Sequence, residues 1–202
     1  ANIISILGYT NKNQKKGDCF FSFADLCNMN LIIDAGNTFV KLAVFENGAI
    51  VHDIRVELAD LVKKAKVIYH EYPQIEWTMV SSVVSLEKTD LKALTVFSKV
   101  HVLGHGTKTP FENKYATPET LGVDRIALAA GAFYFKPYCN VLVIDAGTCI
   151  TYDLITENGE YLGGAISPGL QMRYNALHQQ TSKLPLLNPK DPKGLIGNTT
   201  ES

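Results

Sequence analysis

A repeat constrains this chain more than any other feature. Shifting Leu31–Gly48 by 111 residues lays it on Leu142–Gly159 without a gap, with eight identities in 18 positions. They are Leu31/Leu142, Ile33/Ile144, Asp34-Ala35-Gly36 on Asp145-Ala146-Gly147, and Glu46-Asn47-Gly48 on Glu157-Asn158-Gly159. Strands share composition, so matching apolar residues alone would mean little. Two turn triplets at one separation point to an internal duplication. Each copy reads as strand, tight turn, strand, Asn-Gly hairpin, strand, followed by helix. The chain is therefore expected to be α/β, with a first unit over 29–110, a second over 111–202, and an N-terminal extension over 1–28.

The rest of the pattern fills in these units. Leu58, Leu61, Val62, Ala65 and Ile68 or Tyr69 recur at helical spacing. Trp77–Val84 reads as a strand, Leu86–Phe97 as a helix and Val100–Leu103 as a strand. Gly104 to Pro118 is loop-like, and Pro118 opens a helix expected to run to Phe135, where Lys136-Pro137 stops it. In residues 1–28 the polar, basic Asn11–Lys16 precedes the apolar Phe20–Leu26, the reverse of a secretory signal. Met29 reads as the natural start.

Nineteen Lys+Arg against 20 Asp+Glu give a net charge of −1, so no basic excess marks a nucleic-acid binder. No apolar run reaches the ~18 residues of a membrane span. Cys19, Cys27, Cys139 and Cys149 lack CxxC spacing, which favours reduced thiols in a cytoplasm over a disulfide scaffold or zinc site. His101 and His105 are four apart, but Gly104 between them makes a helical metal pair doubtful.

Each copy ends a buried strand on an aspartate followed by a glycine turn. Buried strands tolerate Asp only at their ends, where water or a ligand reaches it. Gly36 and Gly147 allow a sharp turn that exposes amide N–H groups, and Thr38 and Thr148 add hydroxyls. Amides and hydroxyls bind phosphate oxygens, while a neighbouring aspartate holds a bridging cation. Two facing copies would clamp a polyphosphate, with Lys41 in reach. No Walker A or GxGxxG pattern occurs. Asp124-Arg125 opens a helix: the carboxylate could accept a hydroxyl proton and the guanidinium could bind a carboxylate or phosphate. A charged first helical turn is the plainer reading of that pair taken alone. In Gly163-Gly164-Ala165-Ile166-Ser167-Pro168-Gly169, paired glycines allow close backbone approach and Pro168 could start a helix facing a ligand, or the segment simply connects strand to helix.

Taken together, these segments resemble the acetate kinase–sugar kinase–Hsp70–actin superfamily, and within it the type III pantothenate kinases. Asp34-Ala-Gly-Asn-Thr-Phe-Val-Lys41 is similar to that family's first phosphate motif. Tyr115 with Leu121-Gly-Val-Asp-Arg125 is similar to its substrate motif, and Asp145-Ala-Gly-Thr-Cys-Ile-Thr151 to its second phosphate motif. Gly163–Gly169 resembles its adenosine-side motif, and Ile196–Thr200 the start of a later substrate motif. The resemblance covers Met29 to Ser202.

It implies two tandem ribonuclease H-like units and ATP-dependent phosphorylation of pantothenate at its 4′-hydroxyl, the first step of coenzyme A synthesis. It implies that Asp34, Ala35, Gly36, Asn37, Thr38, Phe39, Val40, Lys41 and Thr148 bind ATP, with Asp34 placing Mg²⁺. It further implies that Asp124 is the proton acceptor, that Tyr115, Gly122, Val123, Asp124, Arg125 and Thr200 hold pantothenate, and that Asp145 binds K⁺ or NH₄⁺. A cytoplasmic homodimer, without nucleic-acid or membrane partners, is expected. Alternatives are a kinase of another small molecule or a non-catalytic regulator of the same fold, since some family members were named as accessory transcription factors. Residues 1–28 have no counterpart in the family. Only 43 residues follow Gly159, so the second unit is expected to be C-terminally incomplete and the 202-residue chain inactive by itself.

Overall fold

The computed structural model describes residues 29–191 and 194–201; the expectations for residues 1–28 lie outside the described residues. Among the described residues, nine strands form two sheets. The first contains β1 (Met29–Ala35), β2 (Val40–Glu46), β3 (Ala49–Val56), β4 (Ile75–Ser82) and β5 (Lys99–Val102), in the order β3-β2-β1-β4-β5. Its first three strands form an antiparallel meander, and β4 and β5 join in parallel. This is the ribonuclease H-like arrangement. The second contains β6 (Glu112–Asn113), β7 (Val141–Ala146), β8 (Cys149–Ile155) and β9 (Glu160–Pro168), in the order β6-β9-β8-β7. Its meander β7-β8-β9 repeats β1-β2-β3, and the two-residue β6, in the expected loop, pairs parallel to β9.

Among the described residues, the α-helices are α1 (Leu61–Glu71), α2 (Lys88–Leu94), α3 (Val123–Phe135) and α4 (Leu170–Gln179). Side chains alternate across a strand, so β1 sends Leu31, Ile33 and Ala35 to one face and Ile32 and Asp34 to the other. The first set packs on Leu61, Ala65 and Ile68 of α1 and on Leu94 of α2. Ile32 joins Ala43, Phe45 and Met79 against Ile126–Ala129 of α3. The same helix also meets Val143 of β7, Ile155 of β8 and Tyr161 of β9. β1 is thus covered on both sides, which explains its continuous apolar run. Both sheets turn their inner faces to α3. The opposite face of β7 is different: Leu142 and Ile144 are about half exposed, and among the described residues nothing pairs with that strand's outer edge.

The pairing registers correct the ungapped repeat. Asp34 stands opposite Lys41, and Asp145 stands opposite Thr151, so the first turn is one residue shorter in the second copy. Thr148 is then the counterpart of Thr38, and Asn37 has none. The missing residue returns at the hairpin. Asn47 and Gly48 have φ of 51° and 82° and close a two-residue type I′ turn. In the second copy the Thr156 amide donates to the Glu160 carbonyl and only Gly159 has positive φ, +76°. That is a three-residue loop with a glycine bulge. The Glu-Asn-Gly triplets match as letters while adopting different turns. Beyond them, Val51 and Leu162 are extra residues at equivalent bulges.

Two helix starts also differ from the sequence reading. Pro118–Thr120 is a 3-10 turn, Leu121 is extended with ψ of 128°, and α3 begins only at Val123. Leu121 is buried in the core, and that anchor interrupts the helix. Pro168 ends β9 instead of starting a helix; Gly169 is the N-cap of α4. Among the described residues, no helix is long and apolar enough to cross a membrane.

Candidate active site

Asp34 and Asp145 end equivalent strands on the two inner faces, and the first turn of α3 lies between them. The late start of α3 puts Asp124 in that turn. Its Oδ1 accepts the Arg125 amide at 2.9 Å, a bond formed at the helix end where amides lack intrahelical partners. The three carboxylates converge closely enough for Asp124 and Asp145 to act on Asp34, and for Asp145 to act on Asp124. Burial pushes the Asp34 carboxyl above its usual range. The Lys41 ammonium, 3.3 Å from Oδ2, pulls the other way without prevailing, and the two neighbouring carboxylates add to the rise. Burial likewise raises Asp124, against the stabilising Arg125 amide, and Asp145 raises it further.

The two turns face each other, with the Thr38 and Thr148 hydroxyl oxygens 3.4 Å apart. The glycine amides expected to point outward are engaged in closing the turns: Gly36 donates to the Phe39 carbonyl and Gly147 to that of Cys149. The donors left to face an anion are those of Asn37, Thr38 and Thr148, at the exposed tips. Ala35 and Val40 are buried and shape the first turn from beneath, while Phe39 is half exposed beside it. Gly169 locks the second turn. Its amide donates to the Thr148 carbonyl at 3.0 Å, and a Cβ there would lie 2.3 Å from the Gly147 and Thr148 carbonyl oxygens.

A second cluster lies behind Asp124. The Tyr115 ring sits 5.9 Å from the Arg125 guanidinium carbon and packs over Gly163, whose φ of +95° and missing Cβ leave it room. Arg125 donates through Nε and Nη2 to Oδ1 of Asp153, at 2.9 and 2.6 Å, and the Tyr161 hydroxyl donates to the same oxygen at 2.6 Å. Sequence reasoning missed Asp153 and Tyr161. An isolated Asp within a strand carries no motif; only its inward position in the alternation hinted at burial. His105, weighed as a metal ligand, instead bonds the Leu121 carbonyl through Nε2 at 2.9 Å, steadying the start of the Leu121–Arg125 segment. Gly122 caps α3 and leaves space for the Asp124 carboxylate, which a Cβ would meet at 2.3 Å, and Val123 packs on the core. Thr200 is exposed in a turn, and no described hydrogen bond or ring contact joins it to these residues.

The donor set suits a hard cation brought in with phosphates. Carboxylate oxygens predominate, and among the described residues no group of three or more His, Cys, Asp or Glu forms a metal cage. Mg²⁺ ordinarily takes one or two carboxylates and completes its shell with phosphate oxygens and water. Asp34 beside the first turn fits that role.

Residues 30–202 match the family model described as type III pantothenate kinase. The chain belongs to the type III pantothenate kinase family. It is 49% identical over 174 residues to the type III pantothenate kinase of Christiangramia forsetii, covering 86% of this chain and 72% of that one. Against the same enzyme of Flavobacterium johnsoniae it is 48% identical over 172 residues, covering 85% and 70%. A solved structure from Campylobacter jejuni, described as a conserved Baf family transcriptional activator, aligns with a TM-score of 0.53 at 22% identity. It covers 85% of this chain and 70% of its own, a likeness of fold. The fold here comprises α/β units in tandem.

Proposed function

We propose that this protein transfers the γ-phosphoryl group of ATP to the 4′-hydroxyl of pantothenate, the first step of coenzyme A synthesis. The observation that carries this reading is the convergence of Asp34, Asp124 and Asp145 at two facing Thr-bearing turns, in a chain of this family.

Phosphoryl transfer is mainly a matter of positioning and charge stabilisation. The triphosphate of ATP lies between the 36–38 and 147–148 turns, where the Asn37, Thr38 and Thr148 donors meet its oxygens and Lys41 adds positive charge. Asp34 would hold a Mg²⁺ ion arriving with ATP, which would supply positive charge against the phosphates. Asp124 accepts the proton of the attacking hydroxyl. Burial raises its pKa, which strengthens it as a base. Tyr115, Gly122, Val123, Arg125 and Thr200 hold pantothenate. Asp145, half-buried at the end of β7, binds K⁺ or NH₄⁺. The enzyme works in the cytoplasm as a homodimer, each protomer carrying a first unit over 29–110 and a second unit that begins at 111. Pantothenate-dependent ATP consumption by the full-length protein, with 4′-phosphopantothenate identified by mass, tests the reading. ATP consumption driven only by another small alcohol, or none with any, overturns it.

A further inference from the structure

One buried carboxylate has no part in that mechanism. Asp153 lies on the inner face of β8 with no exposure to solvent. The registers match it to Ala43 of β2, which is equally buried in the apolar core. The duplication therefore supplies its own comparison: at one strand position, the first unit is apolar and the second is charged. A carboxylate is costly to bury even when paired, and an apolar residue commonly serves stability as well or better. Packing alone therefore does not account for Asp153.

Its bonding is one-sided. Oδ1 receives Arg125 Nε, Arg125 Nη2 and the Tyr161 hydroxyl, while Oδ2 is buried without a hydrogen-bond partner among the described residues. A guanidinium has two usable edges. Asp153 occupies the Nε/Nη2 edge, which leaves Nη1 and the second hydrogen of Nη2 as the outer edge, the fork that binds a carboxylate through two parallel bonds. The Arg125 side chain is 11% exposed and lies next to Asp124 in the first turn of α3. Burial opposes its charge, but the bonds and charge of Asp153 outweigh this and hold its pKa up. Burial and the same carboxylate push the Tyr161 hydroxyl well above its usual pKa, so it remains a donor.

We propose that Asp153 is a positioning residue for substrate recognition: it fixes the Arg125 guanidinium so that its outer edge receives the carboxylate of the acceptor substrate. This rests on the proposed function and adds to it a residue that acts through Arg125. Fixing a long side chain before binding removes an ordering cost that each binding event would otherwise carry.

Steady-state kinetics of the full-length protein, varying pantothenate and ATP separately, test it. Asp153→Asn keeps the shape and one acceptor oxygen but removes the charge. The pantothenate KM should rise about tenfold, the worth of weakened bonds to a charged group, while the ATP KM stays within about twofold. The preference for pantothenate over its uncharged primary amide should narrow in the same variant. A merely structural role would lower the active fraction, reducing kcat and leaving both KM values and that preference unchanged; this result overturns the proposal. Should Asp153→Asn fail to fold, Tyr161→Phe removes a single donor from Oδ1 and should raise the pantothenate KM alone, by about threefold; unchanged kinetics there overturn it equally. A wild-type protein that consumes no ATP with pantothenate overturns the functional reading, and this inference with it.

Discussion

The hydroxyl oxygens of Thr38 and Thr148 lie 3.4 Å apart, across the gap between the two sheets. They are counterparts in the duplicated meander only once Asn37 is left unmatched, as the Asp34–Lys41 and Asp145–Thr151 pairs require. The contact joins equivalent points of two units and defines where they face each other. Asp34 and Asp145 end the strands leading into these turns, so both carboxylates arrive at the same place, where Asp124 meets them.

Asp124→Asn should lower kcat by roughly 10²–10⁴-fold, the usual worth of a positioned base. ATP binding, measured by calorimetry, should change little. Unchanged turnover with pantothenate would remove Asp124 from the role of base.

The raised carboxyls make stability depend on pH in a defined direction. Asp34 and Asp124 have folded-state pKa values above the ordinary 3.8. As pH rises through 3.8 the unfolded chain ionises first, so the ligand-free fold loses stability up to the folded-state values. Asp124→Asn should therefore raise Tm at pH 7 and have little such effect below about pH 2.8, where both states are mostly protonated. Thermal melts at the two pH values test this, and a lowered Tm at pH 7 would contradict it.

Gly169→Ala should damage the ATP side selectively. Its Cβ would lie 2.3 Å from the Gly147 and Thr148 carbonyl oxygens, and backbone cannot move aside as a flexible side chain would. The displaced second turn should raise the ATP KM by about tenfold or more, since small misplacements at a reacting centre are costly. The pantothenate KM should move less. Equal changes in both would count against this division of the site.

The unlike hairpins predict unlike tolerance. Asn47 is left-handed with φ of 51°, so Asn47→Ala should cost about 1 kcal/mol. Asn158 has no positive φ, and Asn158→Ala should cost less than about 0.5 kcal/mol. Urea unfolding of both variants makes the comparison, and equal losses would mean the two turns are alike in solution.

Turnover should require K⁺ or NH₄⁺ and collapse when Na⁺ is the sole monovalent cation. Asp145→Ala should abolish that dependence together with most activity, because the site loses its fixed negative ligand. Equal rates in Na⁺ and K⁺ buffers would refute a cation role for Asp145.

The meanders were legible in the sequence because their causes are local. Strand alternation, Asp-Ala-Gly turns and Asn-Gly hairpin signals act within a few residues, and their recurrence marked the duplication. The residues proposed for phosphate binding were legible for the same reason. The compensating one-residue changes at the two turns were not, because identical triplets aligned the copies without a gap; only hydrogen-bond register distinguishes those alignments. The delayed start of α3 was hidden as well. Pro118 and the apolar spacing both suggested a helix, and burial of Leu121, a tertiary event, overrode them. Asp153 was the furthest from view. Its significance depends on Arg125, 28 residues earlier in the chain, and on Tyr161 in the next strand, and no spacing rule links the three. The sequence by itself determined the repeated strands, the places where they turn and the family. The tertiary structure decided how the two units face each other, because α3 packs between both sheets and brings distant carboxylates, hydroxyls and a guanidinium together at its first turn.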